Sequence, residues 1–372
     1  MESKAFHGLE LLRFLCAVTI ITWHYQHFFW VDGDMAPWFQ RSLQPFYTLL
    51  WGAYNWGSYA VEVFWGISGF IFFWKYAQPV RSGQVGARTF FNLRFSRLYP
   101  LHVATLAMVV VLQWWYAQGH QGTFVYGNHD LRHFVLHLAM ASDWGLDKGL
   151  SFNGPVWSVS VEVLAYTVFF LVARRFRFSG RLMAGLILGL VIAKMALPWI
   201  KDPVLCLLYF FVGGTAFLIV TRSPRHERNL FLATLATSVV LVVWNWKTDG
   251  KVHTFVWISI TLFLVAAAVR LGRVVVRPSA RQVFSFLGGL TYSSYLLHFP
   301  VQLFAVIVAD RFEVPRETFL HPVAYLGFMG ACFGLASLSY VYFEYPMQQF
   351  LRRKLRSSAR AAALSEQGQG ER

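Results

Sequence analysis

Apolar runs of about 20 residues recur along the whole chain, separated by short loops in which Lys and Arg collect. Wound as a helix, a run of that length crosses a hydrocarbon core of roughly 30 Å. Marking the runs gives about ten spans, near 9–30, 57–77, 98–117, 155–173, 182–199, 204–221, 229–246, 254–269, 288–309 and 322–344. The runs are continuously apolar, not the alternating segments of a membrane β-barrel. The expected fold is therefore all-α: a polytopic membrane protein with about ten transmembrane helices. The segment 131–144 is apolar but only 14 residues long. Counting it as a span would reverse the side of every later loop, so it reads as an interfacial or re-entrant helix within the long loop 118–154. The other long loop, 31–56, is rich in Trp, Tyr and Pro. Those aromatics either mark the membrane interface or form a platform for a sugar.

Composition narrows the classes further. Of 372 residues 56% are hydrophobic and 14% charged, against about 25% charged in soluble domains. A soluble enzyme, a disordered tail protein and a single-anchor receptor are excluded. The net charge of +15 raises the question of nucleic acid, but the basic residues are spread over loops and not over one face, so no nucleic-acid partner is expected. Their distribution instead reports topology. The amino terminus, the even-numbered loops and the carboxy-terminal tail carry most of the 33 Lys and Arg, including Arg81, Arg88, Arg174, Arg175, Arg177 and Arg181. The positive-inside rule puts both termini in the cytoplasm, in a multi-pass protein of the inner membrane. Two regions follow: 1–346, the ten-helix transmembrane domain, and 347–372, a basic cytoplasmic tail expected to be disordered towards its end. Cys16, Cys206 and Cys332 lie in apolar runs without metal spacing, so neither a metal site nor disulfides are expected. The first run is too long for the apolar core of a signal peptide and is expected to stay as a helix.

Charged groups in a bilayer core cost at least about 2.5–3.5 kcal/mol each, so each is a functional candidate. The first span holds Glu10, Arg13 and His24. Arg13 and His24 are eleven apart, which puts both on one helix face, about 16 Å apart along the axis. A lone buried histidine is more often a satisfied core group than a catalyst, and the same-face arginine shifts that balance to about even. Glu62 opens the run Val61 to Phe70, in which Ser68 and Gly69 are small enough for close helix approach. Glu162 ends Asn153-Gly-Pro-Val-Trp157-Ser158-Val-Ser-Val-Glu162. Pro155 suits the first turn of a helix, and Ser158 and Glu162 share a face; Glu162 could equally pair with a cation. His298 follows Tyr292-Ser-Ser-Tyr-Leu-Leu, while Glu344 and Pro346 mark the end of the last span. Arg94 and Arg97 are three apart at the cytoplasmic start of the third span. Two arginines on one face can grip phosphate through charge-assisted hydrogen bonds, although ordinary topology or lipid headgroup contact is the blander alternative.

Taken in order, these segments resemble the acyltransferase 3 family of integral membrane acyltransferases. The matching stretches are Leu9-Glu-Leu-Leu-Arg13 with His24 eleven residues on, Val61 to Phe70, Phe91 to Pro100, Trp157 to Glu162, Leu287 to His298, and Glu344-Tyr-Pro346. Each alone is weak; six in sequence are specific. The resemblance implies transfer of an acyl group, usually acetyl, from cytoplasmic acyl-CoA to a hydroxyl of an exported or lipid-linked glycan. It matches Arg13 and His24 to the family's essential pair and Arg94 and Arg97 to its cytoplasmic Arg-x-x-Arg. It assigns a catalytic group of His24, Arg13 and Glu162, donor binding to Arg94, Arg97 and Ser68, and acceptor binding to Trp157, Ser158, Asn153, Tyr292 and His298. His24 would be the general base, with a carboxylate such as Glu162 orienting it. Glu10, Glu62 and Val163 depart from the residues commoner in the family. The chain is expected to be of the stand-alone type, without a fused extracytoplasmic domain.

Two other classes fit ten helices with buried charges. A secondary transporter would tend to show internal repeats with paired broken helices, and the halves 1–173 and 174–344 show none. A non-catalytic scaffold would not need a buried Arg and His.

Overall fold

The protein is described from a computed structural model covering residues 6–248, 253–275 and 277–355. Twelve α-helices make up nearly all of it: α1 His7–His24, α2 Tyr47–Trp56, α3 Ala60–Arg81, α4 Ala87–Tyr116, α5 Leu131–Leu138, α6 Trp157–Arg175, α7 Gly180–Ala196, α8 Lys201–Val220, α9 Pro224–Lys247, α10 His253–Val274, α11 Pro278–Arg311 and α12 Pro322–Ser339. The strands among the described residues are one hairpin, Trp30–Val31 with Asp34–Met35. Its two-residue turn has positive φ at Asp32 (52°) and Gly33 (88°), the pairing a tight hairpin favours.

Each expected span coincides with a helix. Seven helices, α4, α6 and α8 to α12, are by themselves long and apolar enough to cross a membrane. α7 is shorter, at 17 residues, and α1 and α3 carry the ionisable residues that lower their apolar character. The helices that fall short of a hydropathy criterion are thus partly those that bear the polar site. Boundaries shift in ways that matter. The first span leaves α-geometry at His24 and finishes as a 3-10 turn, Tyr25–Phe29. α4 begins at Ala87, so the arginine motif is part of the helix and not a loop before it. The last helix does not stop at Pro346: it passes through a π-helical turn, Tyr340–Glu344, and runs on to Leu355. Pro346 stands two residues after that turn, where the ordinary hydrogen-bond ladder is already disturbed, so its missing N–H is easily accommodated. The tail from 356 onward, with its expected disorder, lies outside the described residues. Of the segment 131–144, only eight residues form α5, about 12 Å of helix and too short to span.

α3 packs along α8, α1 along α11, and α9 against α10. α8 and α11 are the most enclosed, whereas α9 and α12 leave most of their apolar side chains outward, including Leu232, Val239, Val240 and Trp246. That is the surface a lipid-facing helix presents, since lipid is as apolar as the side chains. Prolines sit inside α3, α4 and α11, at Pro79, Pro100 and Pro300. Pro300 in α11 cannot supply the N–H that Leu296 O, four residues back, would receive. Asn153 Nδ2 donates to that carbonyl at 3.0 Å, so the segment before α6 closes the gap and pins α6 to α11.

Candidate functional site

A cavity lies between α1, α3, α4, α6 and α11. Its wall follows α3 from Val61 to Lys75, about 21 Å of helix. At one end converge Glu10 and Arg13 of α1, Lys75 of α3, and Arg94 and Arg97 of α4. α1 and α4 reach this end with their amino-terminal halves and α3 with its carboxy-terminal half. Arg13 Nη1 donates to Glu10 Oε2 at 2.9 Å, an i,i+3 pair on one face. Arg94 Nη2 donates to Tyr76 Oη at 2.6 Å, and its guanidinium lies 5.1 Å from the ring centres of Phe72 and Tyr76. Tyr76 thus aims Arg94 by both hydrogen bond and ring face. Near Arg97, Ser293 Oγ donates to the buried Glu344 Oε2 at 2.5 Å.

Midway along the cavity Glu162 accepts from Tyr166 Oη at 2.7 Å and from Ser68 Oγ. Ser158 Oγ and Tyr295 Oη are hydrogen bonded at 2.7 Å, and Tyr292 Oη donates to Leu98 O at 2.6 Å. Both pairs tie α11 to the neighbouring helices across the cavity wall. Seven of the sequence-derived residues line this one space: Arg13, Ser68, Arg94, Arg97, Ser158, Glu162 and Tyr292.

His24 and His298 form a second group beyond the Ser158–Tyr295 end. Their rings are 4.8 Å apart, and His27 stands 5.0 Å from His24. All three imidazoles are buried. His24 Nδ1 donates to Ile20 O at 3.0 Å, so Nε2 keeps its lone pair. Tyr295 is the bridge to the cavity: it lines the cavity wall, its ring lies 5.7 Å from that of His298, and its carbonyl receives His298 Nδ1 at 2.6 Å.

Two sequence-derived roles change. Glu162 does not orient His24: its described bonds go to Ser68 and Tyr166, and a backbone carbonyl of α1 holds the imidazole instead. Trp157 does not line the cavity; it packs edge-on against Trp65 at 5.7 Å, and Trp65 Nε1 donates to Ser158 O at 3.3 Å. Asn153 is engaged by Leu296 O, as described above. The sequence reading passed over Lys75, Tyr166, Tyr295 and Gln302. Tyr166 and Gln302 stand one turn after Glu162 and His298, and that spacing was a usable signal.

The loop before α6 covers this end of the bundle. Asp143 N donates to Ser160 Oγ at 3.2 Å, and Trp144 Nε1 to Ser160 O at 2.9 Å. Burial pushes the Asp143 carboxyl up to about 8, with Asp202 and Asp147 adding repulsion.

The chain thus gathers Arg13, Arg94 and Arg97 at one end of the cavity and holds buried imidazoles near the other. The sequence model of the family described as Acyltransferase domain matches residues 6–341, and the chain belongs to that family of acyltransferases. Among curated proteins it is similar to Acyltransferase MdmB of Streptomyces mycarofaciens, 30% identical over 115 residues, which are 30% of this chain and 27% of that protein. The chain thus spans about a quarter of that relative's length. No solved structure matches it.

Proposed function

We propose that the protein is an inner-membrane O-acyltransferase that moves an acyl group, acetyl foremost, from cytoplasmic acyl-CoA to a hydroxyl of a cell-surface or exported glycan. The observation that carries this reading is the continuity of the cavity from the Arg13, Arg94 and Arg97 cluster to the Ser158–Tyr295 pair beside the imidazoles. CoA is polyanionic, and the cluster lies at the end assigned to the cytoplasm by loop charge. Its pantetheine arm is comparable in length to the roughly 16 Å between Arg13 and His24. A donor anchored at the arginines would therefore extend its thioester towards His24.

At that point His24 Nε2 takes the proton of an acceptor hydroxyl as its oxygen bonds the thioester carbonyl carbon. The C–S bond then breaks, and the leaving sulfur receives the proton back from the imidazolium. The products are an O-acyl ester and free CoA thiol, with no acyl-enzyme. Arg13 and Glu162 border the path of the thioester. The glycan approaches from the opposite side, where Trp157, Asn153 and the aromatic loops lie. Family membership favours this chemistry over the transporter alternative.

The test is direct. Protein in nanodiscs receives acetyl-CoA and surface glycan from a strain deleted for the gene; thiol release and glycan mass are followed. Acetyl added to the glycan with matching thiol release supports the reading. Neither event, in protein that is folded, rejects it.

A further inference from the structure

The end of the cavity farthest from the arginines is built differently from the rest. Val61 and Trp65 of α3, Val159 of α6 and Tyr295 of α11 line it. All four are buried, and Trp65 is only 2% exposed. At the charged end, by contrast, Lys75 is exposed. The space thus opens where the cations gather and is walled by buried side chains at its other end. The polar atoms of those walls are already engaged. Trp65 Nε1 donates to Ser158 O at 3.3 Å, Tyr295 Oη donates to Pro155 O at 2.7 Å, and Ser158 Oγ bonds Tyr295 Oη at 2.7 Å. These walls present mainly hydrocarbon and ring, which suits a small uncharged group and penalises a charged one.

The walls are also fixed from behind. Trp65 and Tyr295 are both hydrogen bonded to the segment that opens α6, and Trp157 packs edge-on against Trp65 at 5.7 Å. α3 cannot back away towards α8, because beside Trp65 the two helices already touch through their backbones. A Cβ on Gly213 would meet Gly66 O at 1.8 Å, and a Cβ on Gly66 would meet Thr261 Cγ2 of α10 at 2.5 Å. A close-packed wall held in this way resists a longer occupant. In a donor anchored at the arginines, the acyl group is the part that reaches this end, because the thioester stands at the tip of the pantetheine arm.

We propose that Trp65 sets the length of the acyl group: its indole ends the space beyond a two-carbon chain, so that acetyl fits and butyryl meets the ring. This rests on the acyl-transfer reading and gives it a specificity residue. In the reaction the acyl C–S bond breaks, the acyl carbon bonds the acceptor oxygen, and the hydroxyl proton ends on the CoA sulfur. Trp65 contacts the chain beyond the carbonyl and takes no part in those bonds.

The test compares acetyl-CoA with butyryl-CoA on the whole protein in nanodiscs, with surface glycan as acceptor and glycan-dependent thiol release as readout. One methylene in a hydrophobic pocket discriminates by roughly 10–200-fold, so the wild type is expected to favour acetyl in kcat/KM by about a hundredfold or more. Trp65→Ala should bring that ratio to within about tenfold, chiefly by raising kcat/KM for butyryl-CoA. A purely structural defect would lower both donors together and leave the ratio where it was. Trp65→Phe keeps a ring against Trp157 and should shift the ratio the same way by less; it decides the matter if Trp65→Ala fails to accumulate. Equal use of both donors by the wild type overturns the inference, as does an unchanged ratio in the folded variant, and either result leaves acyl transfer standing. Turnover of neither donor by folded wild type removes the inference and the acetyl-transfer reading together.

Discussion

Gly69 of α3 lies directly against the backbone of Phe210 in α8: a Cβ on Gly69 would come within 1.8 Å of Phe210 O. The contact is reciprocated one turn away, where a Cβ on Gly213 would meet Gly66 O at the same distance. Small residues thus let α3 and α8 touch backbone to backbone. Gly69→Ala must separate the helices or distort them. A loss of about 1–3 kcal/mol is expected, the usual range for overpacking. Thermal unfolding in detergent checks it, with Gly52→Ala as control, since nothing lies within 4 Å of a Cβ there.

His24→Ala is expected to lower acyl transfer by about 10²–10⁴-fold, the usual contribution of a general base. Protein levels and helical content should stay near wild type, because the Nδ1 bond to Ile20 O is made within one helix. Activity close to wild type in membranes with normal protein levels would remove His24 from the mechanism.

Arg94 and Arg97 are expected to act on the donor. Changing both to Gln should raise the apparent KM for acetyl-CoA by at least tenfold, since each charge-assisted bond is worth about 1.5–3 kcal/mol. Acceptor KM should move little. Unchanged CoA affinity would return the pair to topology or lipid contact. Tyr76→Phe offers a finer reading, because it removes the hydroxyl that aims Arg94 and keeps the ring.

Much of this arrangement was legible in the sequence. Helical spans are written in run length, and the same-face relation of Arg13 and His24 follows from helical periodicity because α1 is continuous between them. What the sequence could not give was contact between distant segments. Nothing in the spacing of Glu162 says that Ser68, on another helix, will hold it, or that His24 will lean on its own backbone. Asn153 shows the same limit: its bond to Leu296 O answers a proline 147 positions later in the chain. The run-on of the last helix through Pro346 was missed because a π turn carries no clear residue signature.

The acceptor is expected to arrive from the side opposite the arginines. Sealed inside-out vesicles, with acetyl-CoA outside and glycan only in the lumen, should yield acetylated lumenal glycan. Product that forms only when glycan is added with acetyl-CoA would mean that both substrates use the cytoplasmic face.

Asp143 gives the protein a pH dependence that can be read apart from catalysis. Its carboxyl is pushed up to about 8, first by burial and then by Asp202 and Asp147, whereas an unfolded chain leaves it near 3.9. The folded state therefore holds the proton more tightly than the unfolded one. The resulting stability is fully present below about pH 4 and is lost as pH rises towards 8. Asp143→Asn cannot ionise and escapes that loss. Its melting temperature relative to wild type should rise between pH 5 and pH 8.5, and the two proteins should converge at the acid end. Asp143 is part-exposed, so the effect is smaller than the full shift implies. Thermal melts of both proteins across this range decide the matter. A difference that stays constant with pH would mean that Asp143 is ionised throughout and that the loop over α6 is more open to water than its packing on Ser160 indicates.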